Sequence, residues 1–141
     1  MGWLQFAILA TISFGFYNFF TKLSAEKLSP PVAFAIMAGT ALVVALIGIA
    51  FYKVAGMELV FTKEKLIFPI LAGVSTGLAE IFYLTMFAKN APLAIGNPLV
   101  VGGTIIVAIV LGLFILKEPI GFYKGIGIVV TLAGIVILSK G

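Results

Sequence analysis

Five long runs of apolar residues, separated by short polar links, organise the chain. The runs cover residues 3–21, 32–52, 66–87, 93–116 and 120–138. Because a helix of ~20 apolar residues spans the ~30 Å hydrocarbon core of a bilayer, each run predicts one transmembrane helix. The pattern therefore predicts an all-α, polytopic membrane protein with five transmembrane helices. An odd number of spans places the two ends of the chain on opposite sides of the membrane.

The composition supports this interpretation. Hydrophobic residues make up 62% of the 141 residues and charged residues only 10%, whereas soluble domains contain about 25% charged residues. The mean hydropathy is +1.28. We therefore expect an integral, multi-pass protein of a prokaryotic plasma membrane, with the lipid bilayer as its main partner. Residues 1–141 are predicted to form a single transmembrane domain, with no room for a soluble one.

The third run contains one ionisable side chain, Glu80, close to its middle. An acidic residue at the centre of a membrane helix costs ~2.5–3.5 kcal/mol on the insertion scale. We therefore expect Glu80 to face protein or a water-filled cavity rather than lipid. One interpretation is a structural ion pair or hydrogen bond inside the helix bundle. We favour a functional carboxylate, because no other ionisable residue lies so deep within a run.

Small and polar residues surround Glu80 on one face of its predicted helix. At ~100° per residue, Gly73 lies ~20° and Thr76 ~40° from Glu80, and Gly77 and Tyr83 share the face. A carboxylate between small residues and a phenol has space beside it. This face is therefore the first candidate for a binding site.

The first run carries a second polar face. Thr11, Gly15, Asn18 and Lys22 recur at spacings of four, three and four, so they line one side of a helix. Two interpretations stay open for this stripe. It is either a helix-packing surface, with Asn18 hydrogen-bonded to a neighbouring helix, or the polar wall of a central cavity. Lys22 is expected to end the run.

The fourth run is interrupted near its start by Pro98. A proline inside a helix removes a backbone donor and frees carbonyl groups, and transporters use such interrupted helices to bind substrates and ions. A tolerated kink is the alternative. Asn97 and Thr104, seven residues apart, share one face of this helix.

The fifth run is rich in small residues. Gly121 and Gly125 have the spacing of a GxxxG motif, and Gly127, Thr131 and Gly134 extend the small-residue stripe. Small residues allow membrane helices to approach closely. We expect this helix to pack closely, either within one protomer or between protomers.

The lysines give almost no orientation signal. All nine cationic residues are lysines at the ends of apolar runs, where snorkelling side chains belong, so nucleic acid is not an expected partner. The positive-inside rule orients a chain by the difference between its two sides. One side carries five lysines and the other four: Lys53, Lys63, Lys65, Lys117 and Lys124 against Lys22, Lys27, Lys89 and Lys140. This balance predicts insertion in both orientations and an antiparallel homodimer, with a paralogous partner chain as the alternative.

The chain has neither cysteine nor histidine. Disulfides, thiol chemistry, imidazole bases and the common zinc sites are therefore excluded. We expect no cofactor and no bound metal. An enzyme is not expected, although chemistry based on Ser, Thr or Tyr stays open.

The order of several short motifs resembles one EamA-type repeat of the drug/metabolite transporter superfamily. Residues 13–22, SFGFYNFFTK, are similar to the start of that repeat. Residues 88–141 show the Ala91-Pro92 opening, Pro98 in the fourth span, Glu118 closing it, and the apolar sequence GIVIL in the fifth. The resemblance covers essentially the whole chain.

The resemblance implies a function. Most members have ten spans, built from two five-span repeats in opposite orientations, and they transport small organic molecules. A chain with one repeat is then half of a 5+5 inverted-repeat transporter, which two antiparallel copies complete.

We therefore predict a secondary transporter of small metabolites or drugs that works by alternating access. Burial disfavours a charged carboxylate, so Glu80 can exchange a proton for a cationic substrate. The predicted substrate- or ion-binding residues are polar side chains of the first, third and fourth spans: Glu80, Tyr83, Thr76, Asn18, Thr11, Asn97 and Thr104. A dimeric ion channel, with Glu80 as its selective element, and a non-transporting membrane subunit are the alternatives.

Overall fold

The computed structural model describes residues 2–117, 119 and 121–138. The described chain is helical and contains no strand. Five long helices follow one another: α1 (Trp3–Ala25), α2 (Pro30–Val54), α3 (Ile67–Ala88), α4 (Leu93–Phe114) and α5 (Phe122–Leu138). A single 3₁₀ turn, Lys63–Lys65, precedes α3. The predicted all-α architecture with five helices is confirmed.

The helices have the length and surface of membrane spans. Four of them, α1 to α4, are long and apolar enough to cross a bilayer, and α5 is a shorter apolar helix. Most large apolar side chains are exposed along all five helices. Such a surface is stable where lipid chains, rather than water, surround it. The chain is a multi-pass membrane protein.

The ends of α1 and α2 follow local backbone chemistry. The apolar run ends at Lys22, whereas the helix α1 continues for almost one further turn to Ala25. Lys22 lies one turn before Glu26, and its ammonium is 3.3 Å from the Glu26 carboxylate, which supports that extra turn. Pro30 opens α2 at its first position, where a missing backbone donor costs nothing.

Residues with positive φ follow the ends of α2 and α3. Gly56, with a φ of +67°, closes α2 in a Schellman motif, in which the amide of Met57 donates to the carbonyl of Tyr52 at 3.0 Å. Asn90, with a φ of 64°, follows α3. Asparagine tolerates this conformation better than other side chains do. Pro92 then caps the start of α4.

The fourth helix runs through Pro98 without interruption. The interrupted helix, one of the two interpretations of Pro98, is therefore not observed. α4 instead tolerates the missing backbone amide within its second turn. α4 ends at Phe114, two residues before the predicted boundary, and α5 begins at Phe122. The predicted start of the fifth span, Ile120, and the closing Glu118 lie outside the described residues.

The helices form two compact units, residues 1–90 and residues 91–141. In the first unit α3 packs against both α1 and α2. The buried residues of the first unit lie near the end of α1, the start of α2 and the end of α3: Thr21, Ala25, Ala33, Tyr83, Leu84 and Phe87. In the second unit α4 packs against α5. That residues 1–141 act as a single domain stays a prediction.

The second unit depends on one close approach. A Cβ atom added at Gly102 of α4 would lie 2.7 Å from Cγ2 of Ile135 on α5. Real Cβ atoms do not approach other heavy atoms so closely, so only glycine fits there without a shift of the Ile135 side chain or of α5. The expected close packing of the fifth helix is therefore observed, but the glycine that permits it belongs to α4.

Candidate substrate-binding cleft

The first unit contains a cleft of about 540 Å³ between its three helices. Its volume lies within the range of small-molecule sites, ~300–1,000 Å³. α1 and α3 each contribute a few side chains, and α2 contributes one apolar face. The lining residues are Phe14, Tyr17, Phe34, Met37, Ala38, Ala41, Leu42, Ala45, Gly73, Thr76 and Glu80.

Glu80 is the one ionisable carboxylate of this lining, which is otherwise mostly apolar. One oxygen of its carboxylate is buried and has no hydrogen-bond partner among the described residues. Buried polar atoms are nearly always hydrogen-bonded, and leaving one unpaired costs ~1–3 kcal/mol. An unpaired carboxylate oxygen at a cleft is therefore suited to bind a proton or a cationic ligand.

The small residues around Glu80 give the cleft its width. Gly73 and Thr76 line it together with Glu80, as their shared helical face predicts. A Cβ at Gly73 would meet no atom within 4 Å, so the space beside that glycine is open. Gly77 lies on the packed side instead, because a Cβ added there would lie 3.5 Å from the ring of Phe34.

Tyr17 brings a hydroxyl to the same part of the cleft. It interacts electrostatically with Glu80, Thr21 and Tyr83. Its hydroxyl oxygen and that of Thr21, one turn further along α1, are buried without a hydrogen-bond partner among the described residues. Thr21 is only 1% exposed. Tyr17 and Thr21 on α1 and Glu80 on α3 therefore form one group of interacting residues. Each of them contributes one oxygen atom without a hydrogen-bond partner among the described residues.

Sequence reasoning missed Tyr17 and Thr21. The polar stripe predicted for α1 runs through Gly15, Asn18 and Lys22, but the side of α1 that carries Thr21 and Ala25 is the buried one. The spacing of Phe14, Tyr17 and Thr21, three and then four residues, places them on one helical face. That spacing is the sequence feature that could have identified Tyr17 and Thr21 as neighbours on one helical face.

Asn18 and Tyr83 join α1 to α3. The Tyr83 hydroxyl donates a hydrogen bond to Oδ1 of Asn18 at 3.0 Å. The ring of Tyr83 also packs edge-on against Phe87, with 4.7 Å between the ring centroids. Asn18 therefore lies in a helix–helix contact, which was one of the two interpretations of the α1 stripe. The next residue towards the N-terminus, Tyr17, lines the cleft.

The remaining predicted residues are not among those that line this cleft. Thr11 is exposed, and its hydroxyl donates to the carbonyl of Ala7 in the preceding turn at 2.8 Å. Thr104, also exposed, donates to the carbonyl of Val101 at 2.7 Å. Thr104 and the half-buried Asn97 belong to the second unit. Their roles in binding stay predictions.

Three glycines of the small-residue stripe have open space beside them. A Cβ at Gly121, Gly127 or Gly134 would meet no described atom within 4 Å.

The described residues also contain no group of acidic side chains able to hold a metal ion.

The comparison with known proteins gives one result. The sequence model of the EamA-like transporter family matches residues 1–140. No curated protein and no solved structure matches the chain significantly. The family match spans both compact units and all five helices.

Proposed function

The chain belongs to the EamA-like transporter family of the drug/metabolite transporter superfamily, and we propose that it moves small organic molecules by alternating access, with Glu80 exchanging a proton for a cationic substrate. Members of this family are transporters, so a DMT-type membrane transporter is the general class. Beyond this general class, we propose that Glu80 couples transport to protons, that the cleft between α1, α2 and α3 binds the substrate, and that two copies assemble in opposite orientations.

One observation carries the proposal. Glu80 lies in the cleft between α1, α2 and α3 with one buried carboxylate oxygen unpaired. A proton neutralises this oxygen in one state, and a cationic group of the substrate replaces the proton in the other. Because the two ligands compete for one carboxylate, movement of the substrate in one direction is coupled to movement of a proton in the other.

Two copies in opposite orientations supply the second half of the transporter. The support for this step is the single five-helix repeat and the nearly even lysine distribution, five against four. Inverted repeats support alternating access because exchange of the two conformations moves the opening from one side to the other. We place the dimer in a prokaryotic plasma membrane.

The lining of the cleft favours a transporter over the alternative of an ion channel. Ion pathways are lined by rings of carbonyl oxygens or charged side chains. The cleft offers one carboxylate and a largely aromatic and aliphatic surface, including Phe14, Phe34 and Met37. This surface suits an organic ligand with an apolar body.

Proton coupling is tested in acid-loaded proteoliposomes that contain a pH-sensitive dye. A panel of amino acids, nucleosides and arylalkylamines is added outside, and alkalinisation of the lumen is followed relative to protein-free liposomes. We expect at least one solute to accelerate proton release in the wild type and in the control Glu64→Gln, which changes a carboxylate of the α2–α3 link. Glu80→Gln should abolish this flux. Equal flux in Glu80→Gln, or none in the wild type, would overturn the proton-coupled mechanism.

The assembly is tested by cysteine labelling, since the chain has no cysteine of its own. Gly2→Cys and Glu58→Cys are made separately, and intact cells are treated with an impermeant thiol reagent before and after permeabilisation. About half-labelling at both sites in intact cells supports two orientations. Both sites lie on the same side of one protomer, so complete labelling of both in intact cells, or labelling of neither until permeabilisation, would show a single orientation and contradict the antiparallel homodimer.

A further inference from the structure

The polar residues of the cleft point to the chemistry of the substrate's head group. This inference rests on the proposed function, because it names the substrate class for the same cleft. The question is which kind of organic cation the site takes: one that carries N–H donors, or one whose nitrogen is fully alkylated.

Three side chains place buried oxygen atoms at this part of the cleft, and each of these oxygens can accept a hydrogen bond. The Glu80 carboxylate oxygen and the hydroxyl oxygens of Tyr17 and Thr21 are buried, and none has a hydrogen-bond partner among the described residues. Tyr17 interacts with both of the other two, so the three side chains form one cluster. Glu80 and Tyr17 line the cleft directly, while Thr21, 1% exposed, lies outside the lining on the same side of α1 as Tyr17.

We propose that the cleft binds amphipathic primary ammonium ions, with the ammonium group donating hydrogen bonds to the Glu80 carboxylate and the Tyr17 hydroxyl. An ammonium group has three N–H donors, which match carboxylate and hydroxyl oxygens. In the ligand-bound state the Tyr17 hydroxyl donates a hydrogen bond to the Thr21 hydroxyl oxygen, which leaves the lone pairs of the Tyr17 oxygen for the ligand. The apolar remainder of the cleft receives the body of the ligand.

A quaternary ammonium ion fits the apolar surface but not these oxygens. Its charge is attracted to aromatic faces, and Phe14, Tyr17 and Phe34 provide them. However, it has no donor, so it leaves the buried oxygens without the hydrogen bonds that a primary ammonium supplies. Hydrogen bonds to charged groups contribute ~1.5–3 kcal/mol, which corresponds to about tenfold or more in affinity. The primary ammonium ion should therefore bind more tightly, despite the aromatic lining.

The test compares three ligands with one apolar body. 4-Phenylbutylammonium, its N-trimethylated analogue and neutral 4-phenylbutanol are titrated calorimetrically into the whole protein in lipid nanodiscs. We expect the primary ammonium to bind about tenfold or more tightly than the trimethylated ion, and the alcohol to bind more weakly than the primary ammonium. Equal or tighter binding of the trimethylated ion, or no binding by any of the three, would overturn the proposal.

Variants identify the residues responsible. Tyr17→Phe removes only the hydroxyl, so it should reduce the preference for the primary over the trimethylated ion several-fold while the trimethylated ion still binds. Thr21→Val should act in the same direction. Tyr123→Phe, at a tyrosine that is 87% exposed on α5, is the matched control and should keep the full preference. An unchanged preference in Tyr17→Phe, with intact binding, would contradict the assignment.

The outcomes separate this inference from the proposed function. If Glu80→Gln abolishes proton-coupled flux but the trimethylated ion binds as well as the primary one, only the head-group assignment fails. If the primary ion is preferred but Glu80→Gln keeps full proton-coupled flux, the coupling mechanism fails and the binding assignment holds. Helix content and elution volume of each variant show whether it has folded.

Discussion

The Tyr83 hydroxyl donates a hydrogen bond to Oδ1 of Asn18 at 3.0 Å, and this bond connects α3 to α1 beside the cleft. The neighbouring residue on α1 is Tyr17, and Glu80 lies three residues before Tyr83 on α3. The pair Asn18–Tyr83 therefore joins the two helices close to the level of Tyr17 and Glu80. The hydrogen bond between Asn18 and Tyr83 therefore has a structural role next to the candidate binding residues Tyr17 and Glu80.

A double-mutant cycle should detect this contact. Asn18→Leu and Tyr83→Phe each remove one partner, and the double variant removes both. Because inter-helical hydrogen bonds in membranes contribute ~0.6 kcal/mol on average and ~1.7 kcal/mol at most, we expect a coupling energy in that range. Unfolding in mixed detergent micelles measures it. Strictly additive effects of the two substitutions would show that the hydrogen bond contributes nothing to stability.

Two adjacent glycines of α4 should respond differently to alanine. Gly102→Ala places a Cβ 2.7 Å from Ile135, whereas a Cβ at Gly103 meets no atom within 4 Å. Forcing an extra atom into a packed site costs typically ~1–3 kcal/mol. Gly102→Ala should therefore destabilise the protein by about that amount, and Gly103→Ala should leave it nearly unchanged. The same unfolding assay compares them, and equal stability of the two variants would contradict the packing of α4 on α5.

Filling the space beside Gly73 should block the cleft without unfolding the protein. A Cβ at this position would meet no atom within 4 Å, and Gly73 lines the cleft, so a larger side chain there would occupy cleft space. Gly73→Leu should weaken binding of 4-phenylbutylammonium about tenfold, the equivalent of losing the burial of roughly two methylene groups. Gly39→Leu is the control, because Gly39 is equally open but does not line the cleft. Equal affinity of both variants would show that the ligand binds elsewhere.

The ion pair at the end of α1 should matter little. Lys22 and Glu26 are 3.3 Å apart at an i, i+4 spacing, and the Glu26 side chain is 45% exposed. Although the Lys22 side chain is only 19% exposed, ion pairs at an i, i+4 spacing on a helix contribute ~0.3–0.5 kcal/mol. Glu26→Gln should change stability by no more than that and leave proton-coupled flux intact. A loss of flux in Glu26→Gln would point to a functional carboxylate outside the cleft.

The helices could be predicted from the sequence because the apolar runs have the length of a bilayer crossing. Their ends could be predicted only partly. Pro30 and Pro92 mark helix starts through local chemistry that is visible in the sequence. The extension of α1 past Lys22 is not visible in this way, because a lysine both ends an apolar run and continues a helix when a carboxylate lies one turn away.

The site was predictable where one helix carries it. The spacing of Gly73, Thr76 and Glu80 sufficed to place them on one face, and that face lines the cleft. The partners on α1 were not predictable in the same way, since the rotation of α1 relative to α3 depends on contacts between the helices. The packing of Asn18 against Tyr83 brings Tyr17, rather than Thr11, to the cleft.

The central claim is that Glu80 exchanges a proton for a cationic ligand, and proton release on binding tests it most directly. The solubilised protein in weakly buffered solution is titrated with 4-phenylbutylammonium, which stays charged near neutral pH, and the change in pH is recorded with the heat of binding. We expect wild-type protein and Glu64→Gln to release protons as the ligand binds, and Glu80→Gln to release none. Ligand binding without proton release in the wild type, or the same release in Glu80→Gln, would contradict the claim.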